Sequence, residues 1–228
     1  MKLILLPGMD GTGELFDPLL PYLTEYECTV IHFPIAGDQD YPTLTNYVRT
    51  KLPDDEFLII AESFSGPIAA TLAAENTPHL KAIIFVATFL SSPGRWRLLM
   101  SRLLPLEFLG SLPFADRVMR VLFFDRQTSD ETFRRFMAIA RKLPTSLIKS
   151  RFKAMQDFSL ELSKTNIPAA YLQSSSDRLV PSGKSLEFEQ YFENIVFKKI
   201  DGPHFLLQSN PKESAAAISE LMLLLKQC

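Results

Sequence analysis

The sequence predicts an α/β protein built on a mostly parallel six-stranded sheet that is flanked by helices. Short apolar runs without polar alternation recur along the chain, which is typical of strands buried on both faces of a parallel sheet. Segments with helical periodicity lie between these runs, and this alternation favours an open, doubly wound sheet. The 228 residues, 46% hydrophobic and 22% charged, suit one compact domain with ample apolar material for a core.

Six apolar runs are predicted to form the strands. They are 2–6, 28–32, 57–61, 82–87, 169–173 and 195–200. Four helices are predicted between or after these strands. They are 44–51, 65–76, 183–192 and 211–226. The last helix carries an apolar face formed by Ala217, Leu221, Leu224 and Leu225.

Charge and cysteine content exclude several classes of protein. A net charge of −2 does not favour a nucleic-acid binder, and Cys28 and Cys228 form neither a disulfide framework nor a metal-binding pair. The apolar run 2–6 stops at Pro7 and is too short for a secretory signal, and 221–225 is far below the ~20 residues that span a bilayer. We therefore expect a cytoplasmic protein with no membrane span, and no metal or cofactor is implied.

Residues 91–166, here called the insertion segment, break the strand–helix rhythm. Four helices are predicted there, at about 95–104, 114–124, 129–142 and 145–161. We expect 1–90 and 167–228 to form one core and the insertion segment to form a helical cap over the strand ends, where ligands bind in such sheets. The alternative is a set of extra helices on one face of the sheet.

The insertion segment is strongly basic. Residues 91–165 hold 14 Lys and Arg against 7 Asp and Glu, so the rest of the chain is net acidic. A basic cap over an acidic body could attract an acidic partner. The alternative is that these charges are solvated helix faces.

Ser63 is the predicted nucleophile. The segment 57–70 runs from an apolar strand through a turn of small residues around a serine into a helix of small residues. A sharp strand-to-helix turn lifts a serine hydroxyl above the sheet and needs small neighbours because the backbones crowd there. Pro67 is tolerated in the first turn of a helix, which leaves Ser63 on the turn.

The turn departs from the usual G-x-S-x-G pattern, because Ala61 and Ser65 replace both glycines. Ser65 is therefore a rival nucleophile. We prefer Ser63, because it follows the strand at once and because Ser65 would push Pro67 closer to the turn.

A serine needs a base, and the base needs an orienting acid that lies between the two in the chain. Of the three histidines, only His204 lies in a loop after the last strand and follows a suitable acid; His32 and His79 do not. Asp177, in the loop after the fifth strand, is the predicted acid, with Asp201 as its rival.

An oxyanion hole is predicted from two backbone N–H groups, those of Met9 and Phe64. Met9 lies in the glycine-rich loop 6–13 after the first strand, where glycines permit close approach of the backbone. The glycine order in this loop is not that of a dinucleotide site, and no phosphate-binding lysine follows.

These segments together resemble the α/β-hydrolase superfamily. The resemblance rests on 6–9, 61–66, 176–181 and 202–205 and spans almost the whole chain. It implies an α/β-hydrolase fold with an inserted helical cap, and Ser63 disfavours the members that use an aspartate nucleophile. The usual His-Gly of the oxyanion loop is Pro7-Gly8 here, and we expect no counterpart of the antiparallel hairpin that opens the family's fold.

Size, helical cap and basic charge are similar to those of the cap-bearing bacterial carboxylesterases that act on pimeloyl-[acyl-carrier protein] methyl ester in biotin synthesis. We therefore expect a serine esterase. The alternatives are an acyl thioesterase, an acyltransferase and a non-catalytic binding module on a hydrolase scaffold. Apolar residues of the insertion segment form either an acyl pocket or a helix-packing core. They are Trp96, Leu99, Phe108, Phe123, Phe124, Phe133 and Phe136.

Overall fold

The computed structural model describes residues 2–94, 115–158, 160–161 and 163–226. Its centre is a parallel six-stranded sheet with the order β2-β1-β3-β4-β5-β6. The strands are β1 (Lys2–Leu6), β2 (Glu27–Val30), β3 (Phe57–Glu62), β4 (Leu80–Val86), β5 (Ala169–Ser174) and β6 (Ile195–Ile200). The predicted α/β class and sheet are confirmed.

The expectation that all strands are buried on both faces holds only for the inner strands. Every residue of β3 is buried, whereas β2 alternates between exposed and partly buried positions and β6 has a single buried residue, Ile200. The physical reason is topological, because β2 and β6 are edge strands with a single neighbour each. An apolar run alone does not distinguish an edge strand from a central one.

Helices cover both faces of the sheet. They are α1 (Tyr41–Arg49), α2 (Gly66–Ala74), α3 (Ala115–Phe123), α4 (Asp130–Lys142), α5 (Thr145–Asp157), α6 (Leu206–Ser209) and α7 (Pro211–Leu225). The Asp40 side chain caps α1 by accepting from the Thr43 N–H at 2.8 Å. The helix predicted at 183–192 is a 3₁₀ helix, Ser182–Gln190.

Two apolar clusters hold the layers together. Alternate residues of β3 contribute to opposite clusters, Ile59 to one and Ile60 to the other. The first cluster packs the sheet against α1, α2 and the aromatic residues of α4, and the second packs it against α6 and α7. This double burial gives the central strands their uniformly apolar sequence.

Helices α3, α4 and α5 lie between β4 and β5, as the helix predictions at 114–124, 129–142 and 145–161 expect. The helix predicted at 95–104 lies outside the described residues. Backbone carbonyls of α3 accept hydrogen bonds from the loops that follow β5 and β6: Arg178 donates to the Val121 carbonyl, and the Phe205 N–H donates to the Phe123 carbonyl at 3.1 Å. No helix within the described ranges is long and apolar enough to cross a bilayer.

Candidate active site

Ser63 stands at the abrupt turn from β3 into α2. Its backbone lies in the left-handed region, with φ of 49°, which is unusual for a residue other than glycine. A short 3₁₀ turn, Ser63–Ser65, leads into α2, and Pro67 lies in the first turn of that helix as the sequence predicts. Such strain is often found where a side chain must be held at a functional position.

Thr88, which follows β4, stabilises the turn at Ser63 through hydrogen bonds. Its hydroxyl donates to the Ser63 carbonyl, and its own N–H and carbonyl both bond to the Tyr171 hydroxyl, at 3.0 and 2.7 Å. Gly66 packs directly against Thr88, where a β-carbon would lie 2.9 Å from Cγ2. The small residue that the crowding requires here is Gly66, and the sequence analysis assigned no role to either Gly66 or Thr88.

The rival serine is engaged elsewhere. Ser65 is fully buried, and its hydroxyl donates to the Pro7 carbonyl in the loop after β1. This bond fastens the turn at Ser63 to the predicted oxyanion loop.

Ser63, His204 and Asp177 form one hydrogen-bonded chain. The Ser63 Oγ lies 3.0 Å from Nε2 of His204, and Nδ1 of His204 lies 2.8 Å from Oδ2 of Asp177. Ser63 is 5% exposed and His204 2% exposed, so the chain is shielded from water. The rival acid Asp201 is exposed. The structure brings together the serine, histidine and aspartate that the sequence analysis selected.

The second carboxylate oxygen of Asp177 is also fixed. It accepts from the backbone N–H groups of Leu179 and Val180, both at 2.8 Å. The loops after β5 and β6 are joined by a bond from the Ser176 N–H to the Gly202 carbonyl at 3.0 Å. The carboxylate and the imidazole therefore keep one relative orientation.

Charges around His204 favour its protonated form. Burial by itself lowers the pKa of His204, but the charge and hydrogen bond of Asp177 and the charge of Glu62 outweigh burial, so the pKa lies above its usual value. Glu62 is itself buried beside the serine, and burial raises its pKa to about 7, against the hydrogen bond from Gln208. The sequence analysis missed this carboxylate, because it is one acidic residue in an otherwise apolar strand.

The loop after β1 passes close to Ser63. A β-carbon on Gly8 would lie 3.8 Å from the Ser63 β-carbon, so the backbone of this loop borders the serine. The Gly11 N–H donates to the Gly8 carbonyl at 3.1 Å and closes a tight turn around Met9. The assignment of the Met9 and Phe64 N–H groups as oxyanion donors stays a prediction.

Arg151 of α5 is fully buried against this loop. Its guanidinium donates to the carbonyls of Met9 at 2.8 Å and Asp10 at 2.7 Å, and to Gln39 at 3.0 Å. Burial lowers the pKa of Arg151 to about 10, against the attraction of Asp10. Nothing in the sequence distinguishes Arg151 from the other basic residues of the insertion segment.

Phe123 and Phe133 of the predicted pocket belong to one buried aromatic cluster, in which both pack on Phe136. Phe123 also lies edge-on to the His204 ring, with the ring centroids 6.2 Å apart. Trp96 and Leu99 lie outside the described residues, as does Phe108. Among the described residues, no group of three or more His, Cys, Asp or Glu could hold a metal ion.

Comparison with known proteins identifies the family. The family described as alpha/beta hydrolase fold matches residues 3–211. No curated protein matches the sequence.

Similar solved structures support the same fold. A lipase-esterase related protein from Clostridium acetobutylicum has 16% identity and a TM-score of 0.75 over 96% of this chain and 93% of its own. A bromoperoxidase from Bacillus anthracis has 16% identity and a TM-score of 0.77 over 97% of this chain and 91% of its own. The enol-lactonase from Burkholderia xenovorans has 15% identity and a TM-score of 0.72 over 97% of this chain and 90% of its own. These likenesses concern the fold, and the family match extends over most of the sequence. The chain is therefore a member of the α/β-hydrolase family.

Proposed function

We propose that this hydrolase cleaves carboxylic esters through an acyl-enzyme on Ser63, with His204 as general base and acid and Asp177 as the orienting carboxylate. The observation that carries the proposal is the buried hydrogen-bonded chain from Ser63 Oγ through His204 to Asp177. This is the arrangement that activates a serine hydroxyl, which is a weak nucleophile by itself.

Acylation requires one proton transfer in each direction. Nε2 of His204 takes the Ser63 proton while Oγ attacks the ester carbonyl carbon. The N–H groups of Met9 and Phe64 would receive the resulting oxyanion, a contribution worth about 10²–10³ in turnover for each donor. The carbon–oxygen bond then breaks, and His204 gives its proton to the departing alcohol.

Deacylation repeats the same steps with water. His204 removes a proton from the water that attacks the acyl-enzyme, and then returns a proton to Ser63 as the acid leaves. Asp177 keeps the proton on Nδ1 of His204, so that Nε2 is the atom that exchanges protons. Its carboxylate also stabilises the imidazolium that forms in each step.

The first experiment is labelling with a fluorophosphonate, followed by mapping of the adduct by mass spectrometry. We expect the adduct on Ser63, and we expect it to be lost in His204→Ala and kept in Ser65→Ala. An adduct on Ser65 would show that Ser65, and not Ser63, is the nucleophile. The absence of labelling in folded protein would favour a binding role. Turnover of matched oxygen esters and thioesters, with and without an acceptor alcohol, then separates an esterase from a thioesterase or an acyltransferase.

We further propose that the ester is presented by an acidic acyl carrier protein, as a methyl ester of the bound acyl chain. Support comes from exposed arginines of the insertion segment that make no ion pair with described residues, among them Arg117, Arg126 and Arg134. Exposed positive charge accelerates association with an acidic protein and loses its effect as salt is added.

Charge reversal tests this substrate. Arg134→Glu should lower kcat/KM for a carrier-bound ester several-fold at low salt, with no change for a free p-nitrophenyl ester. If reversal of Arg117, Arg126 and Arg134 together, and high salt, both leave carrier-bound turnover unchanged, the carrier is not the partner.

A further inference from the structure

The buried guanidinium of Arg151 donates its hydrogen bonds to neutral groups, although the charge of Asp10 attracts it. The acceptors are the side-chain oxygen of Gln39 and the carbonyls of Met9, Asp10 and Pro34. The guanidinium also lies over the Phe33 ring, 5.6 Å from its centroid. Burying a charge is costly, and the attraction of Asp10 does not outweigh burial in the pKa of Arg151, so the arrangement calls for a reason beyond general packing.

The bonds of Arg151 converge on one short turn. Nη1 alone donates to two successive carbonyls, those of Met9 and Asp10. The next residue, Gly11, has φ of +69°, and a β-carbon there would lie 2.8 Å from Cζ of Arg151. Glycine is therefore needed both for the backbone conformation and for the approach of the guanidinium.

The turn carries the Met9 N–H, and three bonds fix its orientation. The Met9 N–H shares a peptide plane with the Gly8 carbonyl, which accepts from the Gly11 N–H at 3.1 Å. Arg151 holds the carbonyls of the two following peptides. The whole turn from Gly8 to Gly11 is thus clamped between its own internal bond and a residue of α5.

We propose that Arg151 is a positioning residue that holds the Met9 N–H in the geometry needed for the oxyanion and so couples docking of α5 to turnover. This inference rests on the proposed esterase function. The guanidinium touches no reacting atom, and it acts through the backbone of the oxyanion loop. A displacement of about 1 Å in a catalytic group costs on the order of 10²-fold in rate, which sets the scale of the effect.

The test compares Arg151→Met and Arg151→Lys with Arg135→Gln. Methionine fills part of the space but donates no hydrogen bond. Lysine keeps the charge but lacks the planar, branched donors with which the guanidinium reaches several acceptors. Arg135 lies on α4 of the same segment, where it pairs with Asp17 at the surface, so its variant is the matched control. Turnover of a p-nitrophenyl ester is normalised to the fraction of Ser63 that a fluorophosphonate labels at completion, and unfolding is followed by circular dichroism.

We expect kcat per labelled site to fall about 10–100-fold in both Arg151 variants with KM nearly unchanged, because the oxyanion contact acts in the transition state. The affinity for a trifluoromethyl ketone inhibitor should fall by a similar factor, and Arg135→Gln should match the wild type. A kcat per labelled site equal to that of the wild type in folded Arg151→Lys would overturn the proposal. A higher KM with unchanged kcat would also overturn it.

A purely structural role would lower the melting temperature and the labelled fraction while leaving kcat per labelled site intact. That pattern in either variant would also overturn the proposal. The result differs if the proposed esterase function is itself wrong. Any turnover of the p-nitrophenyl ester would then not depend on Ser63, and Ser63→Ala would keep it.

Discussion

Gly66 in the serine turn has no free space for a β-carbon, and its replacement by alanine has a predictable cost. A β-carbon at position 66 would lie 2.9 Å from Cγ2 and 3.0 Å from Cβ of Thr88, and closer still to Oγ1. Thr88 cannot move aside easily, because its hydroxyl holds the Ser63 carbonyl and its backbone is bonded on both sides to Tyr171.

Two effects of Gly66→Ala oppose each other. Alanine favours the helix over glycine by about 1 kcal/mol, and the φ of −54° at Gly66 suits it. Overpacking of a buried site costs about 1–3 kcal/mol, and the contact distances here place the substitution at the upper end. We expect a net loss of about 1–2 kcal/mol, which for a domain of this size lowers the melting temperature by about 2–8 °C.

The assay is a double-mutant cycle on unfolding in urea. Gly66→Ala, Thr88→Ala and the double variant are compared, and removal of Oγ1 and Cγ2 should make the alanine at position 66 nearly neutral. Gly183→Ala is the matched control, since no atom lies within 4 Å of its β-carbon and its backbone is unstrained. An equal cost of Gly66→Ala with and without Thr88 would refute the steric argument, and so would a stabilised single variant.

Three further predictions concern the candidate site. Asp177→Asn should lower kcat about 10⁴-fold while the protein stays folded, as seen by ester turnover and circular dichroism, because the amide stabilises the wrong tautomer of His204. Glu62→Gln should move the acidic limb of the pH profile of kcat/KM to lower pH, because the negative charge of Glu62 contributes to the raised pKa of His204 and the base must be neutral to act. The free energy of unfolding of Ser63→Gly should be about 1 kcal/mol higher than that of Ser63→Ala, because only glycine adopts φ of 49° without strain.

Each of these has an outcome that contradicts it. Asp177→Asn with more than a tenth of wild-type turnover would place the orienting acid elsewhere. A pH profile unchanged by Glu62→Gln would mean that this carboxylate does not act on His204 at all. Equal stability of the two Ser63 variants in urea would show that the left-handed backbone carries no strain.

The sequence allowed the sheet and the Ser63–His204–Asp177 chain to be predicted because both depend on local patterns. At Ser63 an apolar strand runs into small residues around a serine, and a proline follows in the first turn of the next helix, which is the local pattern of a nucleophile turn. The order of serine, acid and histidine along the chain follows from the order of the strands. Because the sequence has only three histidines, His204 remained as the single candidate for the base.

The supporting residues were not predictable in this way. Arg151 meets the oxyanion loop across more than a hundred residues of sequence, and Gln208 meets Glu62 across a similar distance. Thr88 is a polar residue just after a strand, which is an ordinary place for a threonine. Their roles come from which atoms are left to bond after the layers have packed, and a single sequence contains no periodic signal for that.

The position of the insertion segment has a consequence for how the chain acquires its structure. β4 and β5 are adjacent in the sheet, yet roughly 80 residues separate them, and closing such a loop costs about 2 kcal/mol more than a ten-residue crossover. Pairing of this kind forms late, since the entropy of closure is lost before the contacts are gained.

During synthesis, the ribosome would release β1 to β4 well before β5 is available. β4 would then present an unpaired and apolar edge, which invites association with other chains. His204 and Asp177 both follow the late strands, so a nascent chain that ends before β5 contains Ser63 without its proposed base and acid. Hydrolytic competence, on this view, is acquired in the last stage of folding.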